Sequence, residues 1–201
     1  MTATTISPQQ VKELRIRTGA GMMDCKRALE EAQGDMDSAV ELLRKKGIAK
    51  ADKRSGRVAG EGLVVSYIHH NGQVGVLVEL NCETDFVART DDFKSLAQDL
   101  ALHIASADPI GINPQDVPED LVASERRIAE EQAEAEGKPE HIREKIVEGK
   151  IKKFIAERTL TEQPFVKDDS KTVGQLIMEA SGTLGEAISV SRFARFRIGE
   201  E

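Results

Sequence analysis

An α+β fold is predicted by three features of the 201-residue chain. Apolar residues recur at spacings of three and four over much of its length, the period of a helix with one buried face. A central stretch from Leu63 to Leu80 is rich in β-branched residues and is broken by Asn71-Gly72, the strongest short-range hairpin signal because that pair tolerates positive φ. Seven aromatics and no Trp oblige the core to rest on Leu, Ile, Val and Ala, which suits a helix-rich chain, and 39% hydrophobic residues suffice to fill one or two domains.

The elements follow in order. Ser7 is the expected N-cap of a first helix, with Pro8 at its first position and Gln10 closing a capping box, and the helix runs to about Thr18. Gly19 to Gly21 break the chain, after which Cys25, Ala28, Leu29 and Ala32 mark a second amphipathic helix that stops at Gly34. Asp35 caps a third, whose apolar face is Met36, Ala39, Val40 and Leu43 and whose end is expected near Gly47. Residues 1–50 thus form a small three-helix module, followed by a basic linker over 51–61 and a core over 62–201. Between Arg44 and Arg57, seven cations against one acid give +6, which leaves −13 on the remainder of a chain of net charge −7. Such a segment either steers toward an acidic partner surface or the ribosomal environment, or is a solvated linker.

In the core, Leu63 to His69 and Gln73 to Leu80 form an antiparallel hairpin, with Val74, Val76, Val78 and Leu80 on one face. Phe93, Leu96, Ala97, Leu100, Ala101 and Ile104 trace one helical stripe, so a helix is expected to cover that sheet. After Pro114 to Pro118, a charged helix from Glu119 to Glu136 stops at Gly137. A second begins at Pro139 with Ile142, Ile146, Ile151 and Ile155 as its stripe. The pair predicts a projecting αα-hairpin over about 118–158, with Leu121, Val122, Ile128 and Ala129 as the apolar positions of its first arm. Thr172 to Ala180 read as a short helix, and Ile188, Val190, Ala194, Phe196 and Ile198 alternate with polar or basic residues as a final strand.

Composition restricts the classes of function. A net charge of −7 argues against direct nucleic-acid binding, which depends on Lys and Arg neutralising phosphates. Cys25 and Cys82 have no close metal spacing, so the expectation is reduced thiols, no metal and no cofactor. Met1 to Pro8 lack a basic and apolar leader, and no apolar run approaches the ~20 residues that span a bilayer, so a soluble cytoplasmic protein without membrane contact is expected. Neither G-x-x-x-x-G-K-[ST] nor a glycine fingerprint between strand and helix is present to cradle a nucleotide.

One segment stands out: Glu79-Leu80-Asn81-Cys82-Glu83-Thr84-Asp85-Phe86-Val87-Ala88-Arg89, an apolar strand running into a polar turn with an acid beside an aromatic. Phe86 either packs beneath the following helix or, with Asp85 fixing direction and charge, enters a cavity on another molecule. Met22 and Met23 follow a glycine-rich turn where two adjacent thioethers cannot both face one small core. They either fill the core or leave one soft contact available. His69 and His70 lie at the hairpin tip and read as exposed turn residues, since no third group is present to make a zinc site or a general base.

The eleven-residue segment resembles the hallmark of the elongation factor Ts family. Leu14-Arg15 followed by Thr18-Gly19-Ala20-Gly21-Met22-Met23-Asp24-Cys25-Lys26-Arg27-Ala28-Leu29 is similar to that family's N-terminal signature. Two long motifs in the right order are far more specific than a lone glycine pattern. The resemblance implies a non-enzymatic guanine-nucleotide exchange factor for elongation factor Tu, engaging it GDP-bound and nucleotide-free during translation elongation. It implies a UBA-like N-terminal module. Partner contacts are implied at Lys12, Arg15, Met22 and Met23, and at the Thr84, Asp85, Phe86 and Val87 turn, with Asp85 and Phe86 entering near the partner's magnesium. The same resemblance allows a secondary contact at His69 and His70. Longer family members carry two sheet modules and a C-terminal extension; the single module here implies that two chains pair as a homodimer to rebuild the double core. The sequence leaves two rival readings. One is a scaffold whose three-helix module recognises a peptide or ubiquitin-like surface without driving exchange. The other is an enzyme using Asp85 and a histidine as acid and base, for which no nucleophile or oxyanion arrangement is visible.

Overall fold

A computed structural model describes residues 6–54, 56–137 and 139–200, with the side chains of Ile48, Lys50 and Asp52 outside that description. Residues 1–5, Ser55, Lys138 and Glu201, which belong to the expected N-terminal stretch, linker, hairpin tip and chain end, lie outside the described residues. Helices are interspersed along the chain with the strands of an antiparallel sheet, an α+β architecture.

Helices α1 (Pro8–Thr18), α2 (Met22–Glu31) and α3 (Met36–Asp52) come first. Ser7 and Gln10 exchange the two bonds of a capping box, at 3.2 and 2.9 Å, and Gly19 ends α1 in the left-handed region. Asp35 accepts the Ser38 N–H at 2.8 Å to start α3. Leu14, Cys25, Ala28, Leu29 and Ala39 close a small core with Met36, Val40 and Leu43 packed on it.

The expected stop near Gly47 does not occur; α3 continues to Asp52. A lone glycine costs a helix only about 1 kcal/mol, and the next turns are repaid by packing that the local sequence does not display. A Cβ on Gly182 would stand 3.0 Å from the Gly47 Cα, so the two helical backbones pass in close contact. The basic run is largely engaged within the molecule. Arg44 pairs with Glu179, Lys45 with Glu41 at 2.8 Å and Lys46 with Glu31; Arg54 donates to the Ser181 carbonyl at 3.3 Å, and Arg57 reaches Glu83 at 3.4 Å.

Strands β1 (Glu61–Ile68) and β2 (Val74–Cys82) form the hairpin, closed at Asn71-Gly72 by the Gly72 N–H on the His69 carbonyl at 2.7 Å. Val76, Val78, Leu80 and Cys82 are buried on one face of β2. A four-residue helix α4 (Asp85–Ala88) and then α5 (Asp91–Ala107) follow, and all six residues of the expected α5 stripe are buried. Helices α6 (Glu119–Ala135) and α7 (Glu140–Arg158) make the antiparallel pair. Its seam differs from the expectation: Ala129, Ala133, Val147 and Ile151 are buried, with Val122 and Ile155 packed on them, while Leu121, Ile128 and Ile142 are exposed. Close helix approach selects small alanines, which a search for bulky side chains overlooks.

A short ribbon of β3 (Pro164–Phe165) and β4 (Asp168–Thr172) was not expected. Helix α8 (Val173–Leu184) runs a turn past Ala180, and β5 (Ser189–Arg197) completes a three-stranded sheet of order β1-β2-β5. The anticipated alternation in β5 holds at Ile188 and Val190, which are buried, and fails beyond: Ala194, Phe196 and Ile198 are exposed. Arg195 instead turns inward, its side chain 9% exposed and neutralised by Asp108 at 3.0 Å and Glu200 at 2.7 Å. The chain divides into two compact units. Residues 1–63, 80–94 and 177–189 form one; residues 64–79, 95–176 and 190–201 form the other.

Candidate functional site

The end of β2 delivers the chain to Thr84, whose extended backbone (φ −132°, ψ 154°) and side-chain oxygen cap α4 by accepting the Val87 N–H at 3.4 Å. Cys82, buried, donates its thiol to the Thr84 carbonyl at 3.1 Å; burial, then the nearby Glu186 charge, pushes that thiol's pKa up, so it stays protonated. Asp85 sits in the first turn of α4, where a carboxylate suits the helix N-terminus, and pairs with Arg89 at 2.7 Å.

Phe86, next in line, is 78% exposed, so the reading in which it packs beneath the following helix does not hold. Phe93, seven residues on, is fully buried and anchors the start of α5, where the Thr90 hydroxyl accepts its N–H at 3.3 Å. The turn therefore carries one aromatic inward and one outward, on backbone fixed at both ends. Val87 is half-buried beside the tip.

Polar contacts hold the turn from the other side. The Glu186 carboxylate accepts the backbone N–H groups of Glu83 and Thr84, each at 3.0 Å, and the Thr84 hydroxyl at 2.6 Å. Glu83 returns the contact by accepting the Ala187 N–H at 2.7 Å; that amide, and secondarily Arg57, hold the Glu83 carboxyl below its usual range. Glu186 is the residue that sequence reasoning missed. Its partners lie 102 and 103 positions away, and an acid following Gly185 carries no local mark of them.

Lys12 and Arg15 are exposed on α1, and Met22 and Met23 are both exposed at the start of α2. The three-helix core is filled by Cys25, Ala28 and Leu29 of α2, which leaves both thioethers outside it. These four residues and the Thr84 to Val87 turn belong to one compact unit. His69 and His70 belong to the other: the His69 ring lies 4.2 Å from that of His70, and its Nδ1 is 2.9 Å from the Tyr67 hydroxyl. Among the described residues, no group of three or more His, Cys, Asp or Glu could hold a metal ion, and no helix is long and apolar enough to cross a membrane.

Solvent-facing apolar side chains on braced backbone are the equipment of a factor that docks on another macromolecule. The sequence family makes that class specific. Residues 9–200 match the family model described as "Elongation factor TS". Proteins named elongation factor Ts from Carboxydothermus hydrogenoformans and Fervidobacterium nodosum are 56% and 55% identical to this chain over 195 residues. Those residues cover 97% of the chain and 90% and 99% of the respective relatives. A third, from Thermosipho melanesiensis, is 54% identical across 97% of the chain and all of its own length. The chain belongs to the elongation factor Ts family of translation elongation factors.

Proposed function

We propose that this chain is a guanine-nucleotide exchange factor for elongation factor Tu, releasing GDP by pressing the Asp85-Phe86 tip into the partner beside its magnesium and phosphate site. The observation that carries this reading is the 78% exposure of Phe86 on a turn whose backbone is capped and cross-braced. A large apolar side chain held out in water, with its carboxylate neighbour, is worth most when it enters a pocket that excludes water.

No covalent step is needed. A factor that binds the empty partner better than the GDP-loaded partner weakens GDP affinity by the same ratio, because coupling between two ligands is reciprocal. Each tenfold of coupling is about 1.4 kcal/mol, and a buried aromatic anchor contributes roughly 2 kcal/mol or more, which corresponds to over a decade when Phe86 makes its contacts only with the empty partner. Displacing the elements around a small, geometrically demanding cation removes counter-charge from the β-phosphate. In this reading residues 1–50, which hold α1, α2 and all but the last two residues of α3, form a UBA-like module that grips the same partner through Lys12, Arg15, Met22 and Met23, beyond which a basic linker (51–61) leads to the core (62–201). His69 and His70 make a secondary contact, and the factor works in the cytoplasm.

The functional species in this reading is a homodimer. Supporting it is the outer face of the three-stranded sheet, where Val64, Ile68, Leu77, Phe196 and Ile198 are all exposed. An apolar face of this kind across adjacent strands is costly to leave in water, and a second copy supplies a matching one about a twofold axis.

The test is release of a fluorescent GDP analogue from elongation factor Tu. Wild-type chain is expected to accelerate it, and Phe86→Ala to lose tenfold or more of that acceleration, the order set by one aromatic anchor. A chain that binds the partner without accelerating release would instead be a scaffold.

A further inference from the structure

Between α8 and β5 the chain turns at Gly185, whose φ of +82° is a left-handed conformation that side chains other than glycine adopt only with strain. The next residue is thereby aimed back at the end of β2. Its carboxylate takes three hydrogen bonds at once, from the Glu83 and Thr84 amides and from the Thr84 hydroxyl.

The third of these bonds has a chemical consequence. A hydroxyl has one hydrogen to give and two lone pairs to accept with. By taking that hydrogen at 2.6 Å, Glu186 leaves the Thr84 oxygen only its acceptor role, which is the role that caps α4 on the Val87 N–H. A side chain 102 positions away in sequence therefore selects the rotamer of the residue that starts the helix bearing Phe86.

We infer that Glu186 is a positioning residue for nucleotide exchange, its carboxylate fixing the Thr84 cap so that Asp85 and Phe86 meet the partner already ordered. This rests on the exchange reading above and adds to it the part of this chain that aims the tip. An ordered tip spares the ordering cost that a loose loop meets at docking, the general advantage of preorganisation. Charge is required as well as shape. The carboxylate accepts all three bonds, whereas a glutamine in its place offers one acceptor oxygen and an NH2 that cannot accept from the Thr84 hydroxyl.

The experiment is a double-mutant cycle on the full chain, using Glu186→Gln, Phe86→Ala and the pair, with GDP release from elongation factor Tu as the readout. Protection of the Val87 amide against hydrogen exchange is measured on the free protein. Glu186→Gln is expected to slow release about tenfold in the wild-type background and less than twofold in the Phe86→Ala background, because residues acting through one another are not additive. Val87 protection is expected to fall while the midpoint of thermal unfolding moves little. An equal loss of release in both backgrounds, or unchanged Val87 protection, would overturn the positioning role. A wild-type chain that does not accelerate release would sink the exchange reading itself, an outcome distinct from either. Glu186→Ala serves as a second variant; Glu186→Gln should retain more activity than it, since one acceptor survives.

Discussion

Phe86 and Phe196 are both exposed aromatics, at 78% and 70%, yet they stand in opposite surroundings. Phe86 is a single ring on a four-residue helix, with Asp85 beside it and a lattice of charge-assisted hydrogen bonds beneath. Phe196 is one member of an apolar face spread over three strands, with Ile68, Leu77 and Ile198 around it. The difference teaches how exposure is to be read. An isolated ring with a braced backbone suits entry into a pocket, whereas a broad flat face suits another flat face.

The comparison breaks if the two aromatics are interchangeable in effect. In the proposed homodimer, Phe196→Asp should weaken self-association about a hundredfold or more, since it sets an unpaired charge in an apolar interface. Sedimentation equilibrium checks this, and the variant's remaining exchange activity should still depend on Phe86. A self-associating Phe196→Asp protein would place the dimer contact elsewhere.

A smaller effect separates two glycines in the tip-bearing unit. A Cβ on Gly182 would meet backbone atoms of Gly47 at 3.0 to 3.1 Å, while a Cβ on Gly47 would find its nearest neighbour at 4.0 Å. Gly182→Ala should therefore cost about 1–3 kcal/mol through forced backbone movement. Gly47→Ala should be neutral or stabilising by up to about 1 kcal/mol, because alanine is the better helix former and the space exists. Chemical denaturation of both variants decides it.

The smallest effect concerns acid. His103 is fully buried, its Nδ1 accepting the Val166 N–H at 3.2 Å and its Nε2 facing the Gln163 side-chain Oε1 at 3.0 Å. Burial lowers its pKa from 6.5, so the folded form keeps it neutral while the unfolded chain takes up a proton. Stability in that region is therefore full above about pH 6.5 and falls as pH drops below it. Glu83 behaves differently: its pKa is lowered from 4.5 chiefly by the Ala187 amide, so its contribution persists above that value and is lost only below it. Protection factors should fall at Val166 before they fall at Ala187 as pH is lowered from 7 toward 4.

How far each region could be read in the sequence follows from where its determinants lie. The start of α1 was legible because Ser7, Pro8 and Gln10 are neighbours and their bonds are local. Phe86 stood out through resemblance to a family motif, while its exposure goes with Phe93 taking the buried place at the start of α5. Gly47 was misread because the packing at Gly182 that carries α3 onward is remote in sequence. In β5 the strand was evident, but its inward face was not, since Arg195 is tolerated inside only by Asp108 and Glu200. Glu186 left no local trace at all, its meaning being entirely in bonds spanning more than a hundred residues.

The most direct test of the central claim compares GDP release from elongation factor Tu driven by saturating wild-type and Phe86→Ala chains, both shown to fold by their unfolding midpoints. The account predicts that the variant still binds but leaves GDP release at least about tenfold slower than wild type. Equal release rates would contradict it.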